Sequence, residues 1–419
     1  MKKIILLTIL AAVFFTAHAF ASEFGDVDIH GFISQGYLQT DKINFLAETK
    51  DGTFQFNELA LNFATILSPG LRVGMQLFAY DLGDRGNDEL TVEWCYADYQ
   101  WKEWLGFRVG SMKTPHGLYN EIRDMDMLRP TIFLPMGVYS EVIRDELQSN
   151  RGMAAYGLVS LGGLGRLSYL MQLGQMTVDK DKGFARAAEL LAERNFELQG
   201  FTINADTKDI HSGYTSNGVL KWYTFIDGLM LGITGFNNNN MDTTIRTNGS
   251  LNNIPFEYQF QSHITEWWGM VASGQYEWYD LVLTYEYFRS DMKTTTRDSE
   301  TYVVPIFGVD GKNEKSPLMA WYINLSYRFS AFVECAYTYT EYYENINDRD
   351  GTSYKESGLD DYLAWAKSSV FSTRFDINDN WILKLEYTYT DGQLYFNPAE
   401  NDKLSRYWSM YGIKVTYTF

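Results

Sequence analysis

The residues of this chain best able to act on another molecule are charged, and many fall in one stretch. After Lys113 come Arg123, Asp124, Asp126, Arg129, Glu141, Arg144, Asp145, Glu146 and Arg151. Among them stand Pro115, Pro130 and Pro135 and an apolar cluster of Ile132, Phe133, Leu134 and Met136. Proline fixes φ and apolar side chains seek burial, so 114–152 reads as a packed loop rather than a flexible one. Opposed charges on such a loop inside a narrow aqueous passage create a transverse field, and rings of charged side chains set ion preference. A second reading has these charges pairing within the loop and only holding its shape.

Other chemistry is sparse. His30, His116, His211 and His263 are scattered, without a His-x-x-x-His or Cys-x-x-Cys pair to bind metal. No Gly-x-Ser-x-Gly elbow and no Gly-rich phosphate loop occur. The expectation is a protein that is not an enzyme and needs no cofactor or metal. The net charge of −18 argues against nucleic acid as a partner.

The elements that must position the charged loop are strands. At the end of the chain Tyr411, Ile413, Val415, Tyr417 and Phe419 alternate with Gly412, Lys414, Thr416 and Thr418. Strict alternation is a strand with one apolar and one polar face. A terminal aromatic on it is similar to the signal read by bacterial outer-membrane barrel assembly. At the other end Lys2 and Lys3 precede an apolar run from Ile4 to Phe15, then Ala17-His18-Ala19 and Ala19-Phe20-Ala21. This predicts a secretory signal peptide over 1–21, leaving 22–419 as a single barrel domain.

Composition agrees. Aromatics make up 16% of the 419 residues, there are 8 Pro, and no linker divides the chain. Mean hydropathy is −0.27. No segment after the leader is apolar for the roughly 18 residues a helical span needs. Average polarity with many aromatics suits a transmembrane barrel, where alternate residues meet lipid and aromatics mark the interfaces.

The clearest strands fall at 71–80, 166–174, 281–288, 319–329, 381–389 and 407–419. Weaker ones fall at 27–37, 54–67, 90–101, 106–113, 153–161, 216–225, 229–236, 264–278, 332–342 and 362–375, making sixteen in all. Short connections such as Ser68-Pro69-Gly70 alternate with long polar ones at 39–52, 82–89, 114–152, 175–215, 237–263, 289–318, 343–361 and 390–406. The expected fold is all-β: a sixteen-stranded antiparallel transmembrane β-barrel with short periplasmic turns, long external loops and an inward-folded third loop. An even strand count closes the sheet and leaves no edge. Residues 183–197 have helical propensity and are expected to form a short helix in the fourth loop, capping the mouth or packing on another loop.

With the polar phase inward, the pore wall gains Arg72, Arg108, Arg166, Arg328, Arg374, Lys384 and Lys414, and the acids Glu93, Glu286, Glu334 and Glu386. Such a wall forms a basic vestibule favouring anions, unless the cations pair with wall carboxylates. Cys335 is expected to face lipid and Cys95, in phase with Thr91 and Glu93, to face the lumen, both as free thiols.

Residues 108–135 carry Arg108-Val109-Gly110, Lys113-Thr114-Pro115-His116-Gly117, an acidic and Arg stretch, then Arg129-Pro130 and a hydrophobic turn. The segment resembles the one leading from the fifth strand into the third loop of the phosphate-selective porin O and P group. Strand count and loop order agree over essentially the whole mature chain. The resemblance implies a homotrimer in the bacterial outer membrane, in contact with lipid and lipopolysaccharide, whose third loop narrows the pore. The expected function is passive diffusion of small hydrophilic solutes and ions, filtered by that loop. A channel specific for an anion such as phosphate or a dicarboxylate, and a structural or adhesive barrel without conductance, are the alternatives.

Overall fold

The computed structural model describes residues 26–83, 85–197, 202–251, 254–298, 312–393, 401 and 404–419; the expected signal peptide lies outside them. Eighteen hydrogen-bonded segments form one sheet and make sixteen barrel strands, because two strands are each broken once. The first seven are β1 (Asp28–Thr40), β2 (Phe56–Ser68), β3 (Leu71–Leu82), β4 (Thr91–Lys102), β5 (Leu105–Lys113), β6 (Ser149–Ser160) and β7 (Arg166–Met176). The broken strands are β8 (Thr202–His211, then Tyr214–Tyr223) and β9 (Leu229–Asn238, then Met241–Leu251). The rest are β10 (Ile254–Trp278), β11 (Leu281–Asp298), β12 (Lys312–Arg328), β13 (Val333–Tyr343), β14 (Trp365–Asp376), β15 (Trp381–Gly392) and β16 (Tyr407–Thr418).

Each strand pairs antiparallel with its neighbours, and β16 returns to β1 with Phe32 opposite Thr418 and Thr40 opposite Met410. Closure is completed by the last residue: Gly31 N–H donates to Phe419 O, and Phe419 N–H to Gly31 O, both at 3.0 Å. The alternation read from the sequence is the alternation of exposure. On β16 the side chains of Lys414 and Thr416 are buried, whereas Tyr411, Ile413 and Phe419 are exposed. Exposed Val109, Met153, Met171, Leu173, Ile233, Leu325, Phe371 and Leu385 continue this outer apolar face around the wall. Near the short turns it ends in ring contacts, among them Trp101–Trp104, Trp278–Tyr279, Tyr327–Phe329 and Trp381–Tyr417. Such a band and girdle suit a wall that meets hydrocarbon.

Beyond the band the wall rises higher on one side, where long polar loops were expected at 175–215, 237–263 and 289–318. Much of these segments is strand. The first part of β8 pairs with the second part of β9, which pairs with the start of β10, and β11 continues to Asp298. The run Asn237–Asn240, at the start of the expected 237–263 loop, holds the break in β9, with Asn240 at φ 61°. The physical reason is inversion of the pattern. Outside hydrocarbon the outer face meets water, so it carries ion pairs such as Arg246–Glu257 and His263–Asp242. The inner face carries buried Ile203, Ala205, Ile245 and Tyr258. The helix α1 (Gly183–Glu197) covers that inner face, burying Ala192 and Phe196.

One register expectation fails. Glu93 is buried toward the lumen, but Cys95 is exposed on the outer face. A bulge lies between them: the β3–β4 register shifts where Gln76 and Leu77 face Trp94 and Val92. An extra residue on one strand flips the inward–outward phase of every residue beyond it. Trp94 accordingly donates to the inward Gln76, and Arg108 lies over the Tyr96 ring. Cys335 lies on the outer face with exposed Tyr337, and both cysteines are free. Both thiols are therefore expected to react with a lipid-soluble maleimide in folded protein without reductant. Labelling of Cys335 alone, with Cys95 reacting only with a water-soluble reagent, would restore the unbulged register.

Candidate functional site

Between β5 and β6 the chain does not leave the barrel but turns into it. Gly117 makes the turn at φ 59°, where a Cβ would lie 2.3 Å from the Tyr139 hydroxyl, so the Lys113-Thr114-Pro115-His116-Gly117 phrase has a backbone reason. His116 is buried, its Nε2 lies 2.8 Å from Val138 O, and burial pulls its pKa down to about 4. Among the described residues no three His, Cys, Asp or Glu side chains converge as a metal site.

Three arcs of the wall hold the segment 114–148. On the first, Lys113 at the end of β5 pairs with Glu93 of β4 and, at 2.7 Å, with Asp124 of the loop. Gln76 of β3 donates to both acids. Arg144 reaches Glu58 of β2 at 3.0 Å and Glu141 at 3.5 Å, lying 5.0 and 4.9 Å above the Phe78 and Tyr80 rings. Arg123 closes the set on Glu141 at 2.8 Å. Burial raises the Glu141 carboxyl, but Arg123 and Arg144 overcome it and bring it to about 2.

The second arc is β14–β16. Asp126 is fully buried and meets Lys384 at 2.8 Å and Lys414 at 3.3 Å, while Thr416 donates to its other oxygen at 2.7 Å. Lys384 also donates to Thr131 O, and Lys414 to Glu58 at 2.6 Å. Burial opposes ionisation of Asp126, yet Lys384, Lys414 and Arg129 hold its pKa far below the usual carboxylate range. Arg129 also donates to Arg123 O and, at 3.1 Å, to Ile132 O. Glu386 accepts the Ile132 N–H at 2.7 Å and the Ser372 hydroxyl at 3.0 Å, and Arg374 donates to Met127 O.

On the third arc Glu286 of β11 accepts from the Leu118 N–H, from Ser273 and from the Tyr139 and Tyr322 hydroxyls. Two apolar clusters complete the attachment. One joins Ile132, Phe133 and Val142 to Phe56, Phe78 and Trp408; the other joins Leu134, Val138 and Tyr139 to Phe236, Trp267, Phe288 and Tyr322. Ile132, Phe133 and Leu134, expected as the reason for a packed loop, thus pack against the wall itself.

The other expected positions divide. Asp145 accepts from Tyr80 at 3.0 Å. Arg151 lies not in the loop but on β6, exposed on the outer face beside Met153, so it is removed from the loop set. Its register opposite Ser111 and Gln175 gives the reason: β6 begins at Ser149, earlier than the expected 153. The basic vestibule is largely cancelled. Arg108 pairs with Asp98, Arg328 with Glu334 and Asp376, and Arg374 with Asp376, while Lys384 and Lys414 lie wholly under the loop. Arg72 and Arg166 are exposed without an ion pair among the described residues, Arg166 over the Tyr223 ring. Glu58, Gln76, Arg85 and Tyr139 were not expected. Glu58 was legible, since Leu59, Leu61 and Phe63 face outward around it; Arg85, which donates to Glu141 O and Leu46 O, had no such signal.

Solved structures with the same architecture are distant in sequence. The porin OmpF of Salmonella typhi, solved with daunomycin, matches 95% of this chain and 99% of its own at 13% identity and a TM-score of 0.53. The outer-membrane channel DcaP of Acinetobacter baumannii matches 94% and 97% at 12% identity and a TM-score of 0.51. The anion-selective porin of Comamonas acidovorans matches 94% and 99% at 10% identity and a TM-score of 0.51. This is the fold of bacterial outer-membrane porins. No family model and no curated protein matches the chain.

The loop's attachment can be tested at two of its acids. Asp126→Asn leaves Lys414 with Glu58 and takes from Lys384 the one ion-pair partner it has among the described residues, which should cost about 3–5 kcal/mol of anchoring. Protease added to folded barrel should then cut within 114–148 while wild type stays intact. The second acid is Glu146, which is buried and accepts the Phe184 N–H at 2.7 Å, joining the loop to α1. Burial, then Asp145 and Asp179, raise it to about 8. A carboxyl raised on folding binds more protons folded than unfolded, so its contribution weakens as pH rises from its ordinary value through about 8. The protection of 183–197 against hydrogen exchange, taken relative to the intrinsic base-catalysed rate, should fall between pH 6 and 9, and Glu146→Gln should flatten that dependence.

Proposed function

We propose that the chain is an outer-membrane porin that passes small hydrophilic solutes and ions by diffusion, with 114–148 as its constriction. The observation that carries this is a closed barrel with an apolar outer face whose longest inward connection is tied to the lumen wall at three arcs. A barrel of sixteen strands has an aqueous lumen that filters little unless something folds into it. Lys113, Arg123, Asp124, Asp126, Arg129, Glu141 and Arg144 have their charges engaged in ion pairs. The loop in this proposal therefore filters by bulk, with the charges serving its position. The resemblance of 108–135 to the porin O and P group supports a homotrimer held in lipid and lipopolysaccharide. Phosphate selectivity is not part of the proposal, because the wall lysines are neutralised by Asp126 and Glu58.

The test is single-channel current from refolded protein in a planar bilayer under a salt gradient. Steady steps are expected, with a reversal potential near that set by bulk ion mobilities. Deleting 123–129 should raise the conductance. No current from a correctly folded barrel would sink the channel reading, and unchanged conductance in the deletion would show that this loop is not the constriction.

A further inference from the structure

Three arcs of wall grip the inward loop through ion pairs, through Glu286 and through apolar clusters. The fourth arc, β6–β9, holds it differently. The loop's ion pairs to the wall, among the described residues, all lie on other strands: Lys113 of β5, Glu58 of β2, and Lys384 and Lys414 of β15 and β16. Apart from Met176 and Phe236 of the second apolar cluster, two neutral hydrogen bonds join this arc to the segment 114–118 among the described residues. Asn150 Nδ2 donates to Thr114 Oγ1, and the Gly117 N–H donates to Thr234 Oγ1, both at 2.9 Å. Buried side chains continue round the rest of the lumen beside the loop, from Glu58 and Gln76 to Glu286 and Lys384. A solute passes this height only where the loop yields, and an arc held by two neutral hydrogen bonds is the least costly to open.

The wall of this arc is shaped by glycine. Gly110, Gly152 and Gly174 stand opposite one another on β5, β6 and β7, and the row continues through Thr215 to Asn238. A Cβ on any of the three glycines would lie 2.0–2.4 Å from a carbonyl oxygen of an adjacent strand. The strands therefore coil tightly there, and the glycine row puts no side chain into the lumen. Around it stand Asn150, Gln172, Thr215, Asn217 and Asn238, neutral and at most 5% exposed. Asn150 and Asn217 both direct Nδ2 at Gln172 Oε1, at 3.4 and 2.8 Å, which fixes the other end of each amide as a carbonyl. Those two Oδ1 atoms, Asn238 Oδ1 and Thr215 Oγ1 have no hydrogen-bond partner among the described residues. Four unpartnered oxygens are a standing cost to a wall that stays covered. The cost ends when water, or the N–H and O–H groups of a solute, reach them.

We infer that the permeation path runs between the segment 114–118 and the glycine row, past Asn150, Thr215, Asn217 and Asn238, and opens when that segment moves off the wall. The solute class it suits is uncharged and bears N–H or O–H donors, which the four free acceptors meet as water is shed. The inference deepens the porin reading, on which it rests, by placing the path and naming that class. Because the lining carries no charge, ions sharing the path meet no fixed charge there. The charged arcs hold the loop, and the neutral arc is left to conduct.

The test uses refolded full-length protein in planar bilayers, with heat-modifiable gel migration checking that each variant barrel is folded. Asn217→Asp is nearly isosteric and puts one charge on the path, so the reversal potential should move toward cation selectivity. In a Cys95→Ser, Cys335→Ser background, a water-soluble methanethiosulfonate should block most of the current through Asn217→Cys. The same reagent should leave the current through Thr338→Cys, behind 131–136 on the opposite wall, unchanged. Thr234→Val removes the acceptor of the Gly117 N–H and should raise the conductance. For the solute class the probe is erythritol: proteoliposomes should swell more slowly in it with Asn217→Leu, which keeps the side chain's length and accepts no hydrogen bond. Wild-type current with Asn217→Cys unblocked and the Asn217→Asp reversal potential unmoved overturns the path and leaves the porin. Block at Thr338→Cys in place of Asn217→Cys overturns it as well, and equal swelling with Asn217→Leu overturns the solute class. No current from folded wild type overturns the porin reading and this path with it.

Discussion

A sheet that meets hydrocarbon must leave no backbone N–H or C=O unpaired, because no water reaches those groups there. In this chain the requirement is met at a single seam, the antiparallel pairing of β1 with β16 and the reciprocal bonds of Gly31 with Phe419. Everything else depends on that closure. It fixes which residues alternate inward, sets the curvature that creates a lumen, and places both ends of every strand at a rim. The Phe419 ring lies close to the Gly31 backbone and 6.2 Å from the Tyr417 ring, so the last side chain also fills the outer face of the seam.

Closure creates a second problem, since an enclosed lumen must be furnished. Here it is furnished as a protein core is, with two apolar clusters joining the inward loop to opposite stretches of wall. Charges inside such a core cannot stay isolated. Asp126 between Lys384 and Lys414, Asp124 and Glu93 on Lys113, and Glu141 between Arg123 and Arg144 show how they are satisfied. Each group holds an acid of the loop, and in two of them the base is on the wall, so pairing fixes the loop's place as well as its shape. The same physics governs the raised part of the wall, where the outer face is polar, the inner face apolar, and α1 covers the latter.

Strand number, strand phase and the alternation of turns with long connections were written in the sequence, because a period of two read against hydrocarbon leaves alternate residues no choice. The seam was also legible, from the run ending at Phe419. So was the packed character of 114–152, from its prolines and its apolar cluster. Where the environment of a strand changes, that rule loses its force: the extensions of β8–β11 read as polar loops because their outer faces meet water. A bulge is likewise invisible to periodicity, which is why Cys95 was placed on the wrong face.

What only the tertiary structure decided was the partnership of charges. Asp126 and Lys384 are 258 residues apart, and nothing in either neighbourhood names the other. Sequence could supply the acids and bases and the alternative that they pair, but not the choice between a free ring and a buried network. That choice depends on whether the loop excludes water from the groups it covers. Once it does, an unpaired charge is too costly to persist, and the network forms.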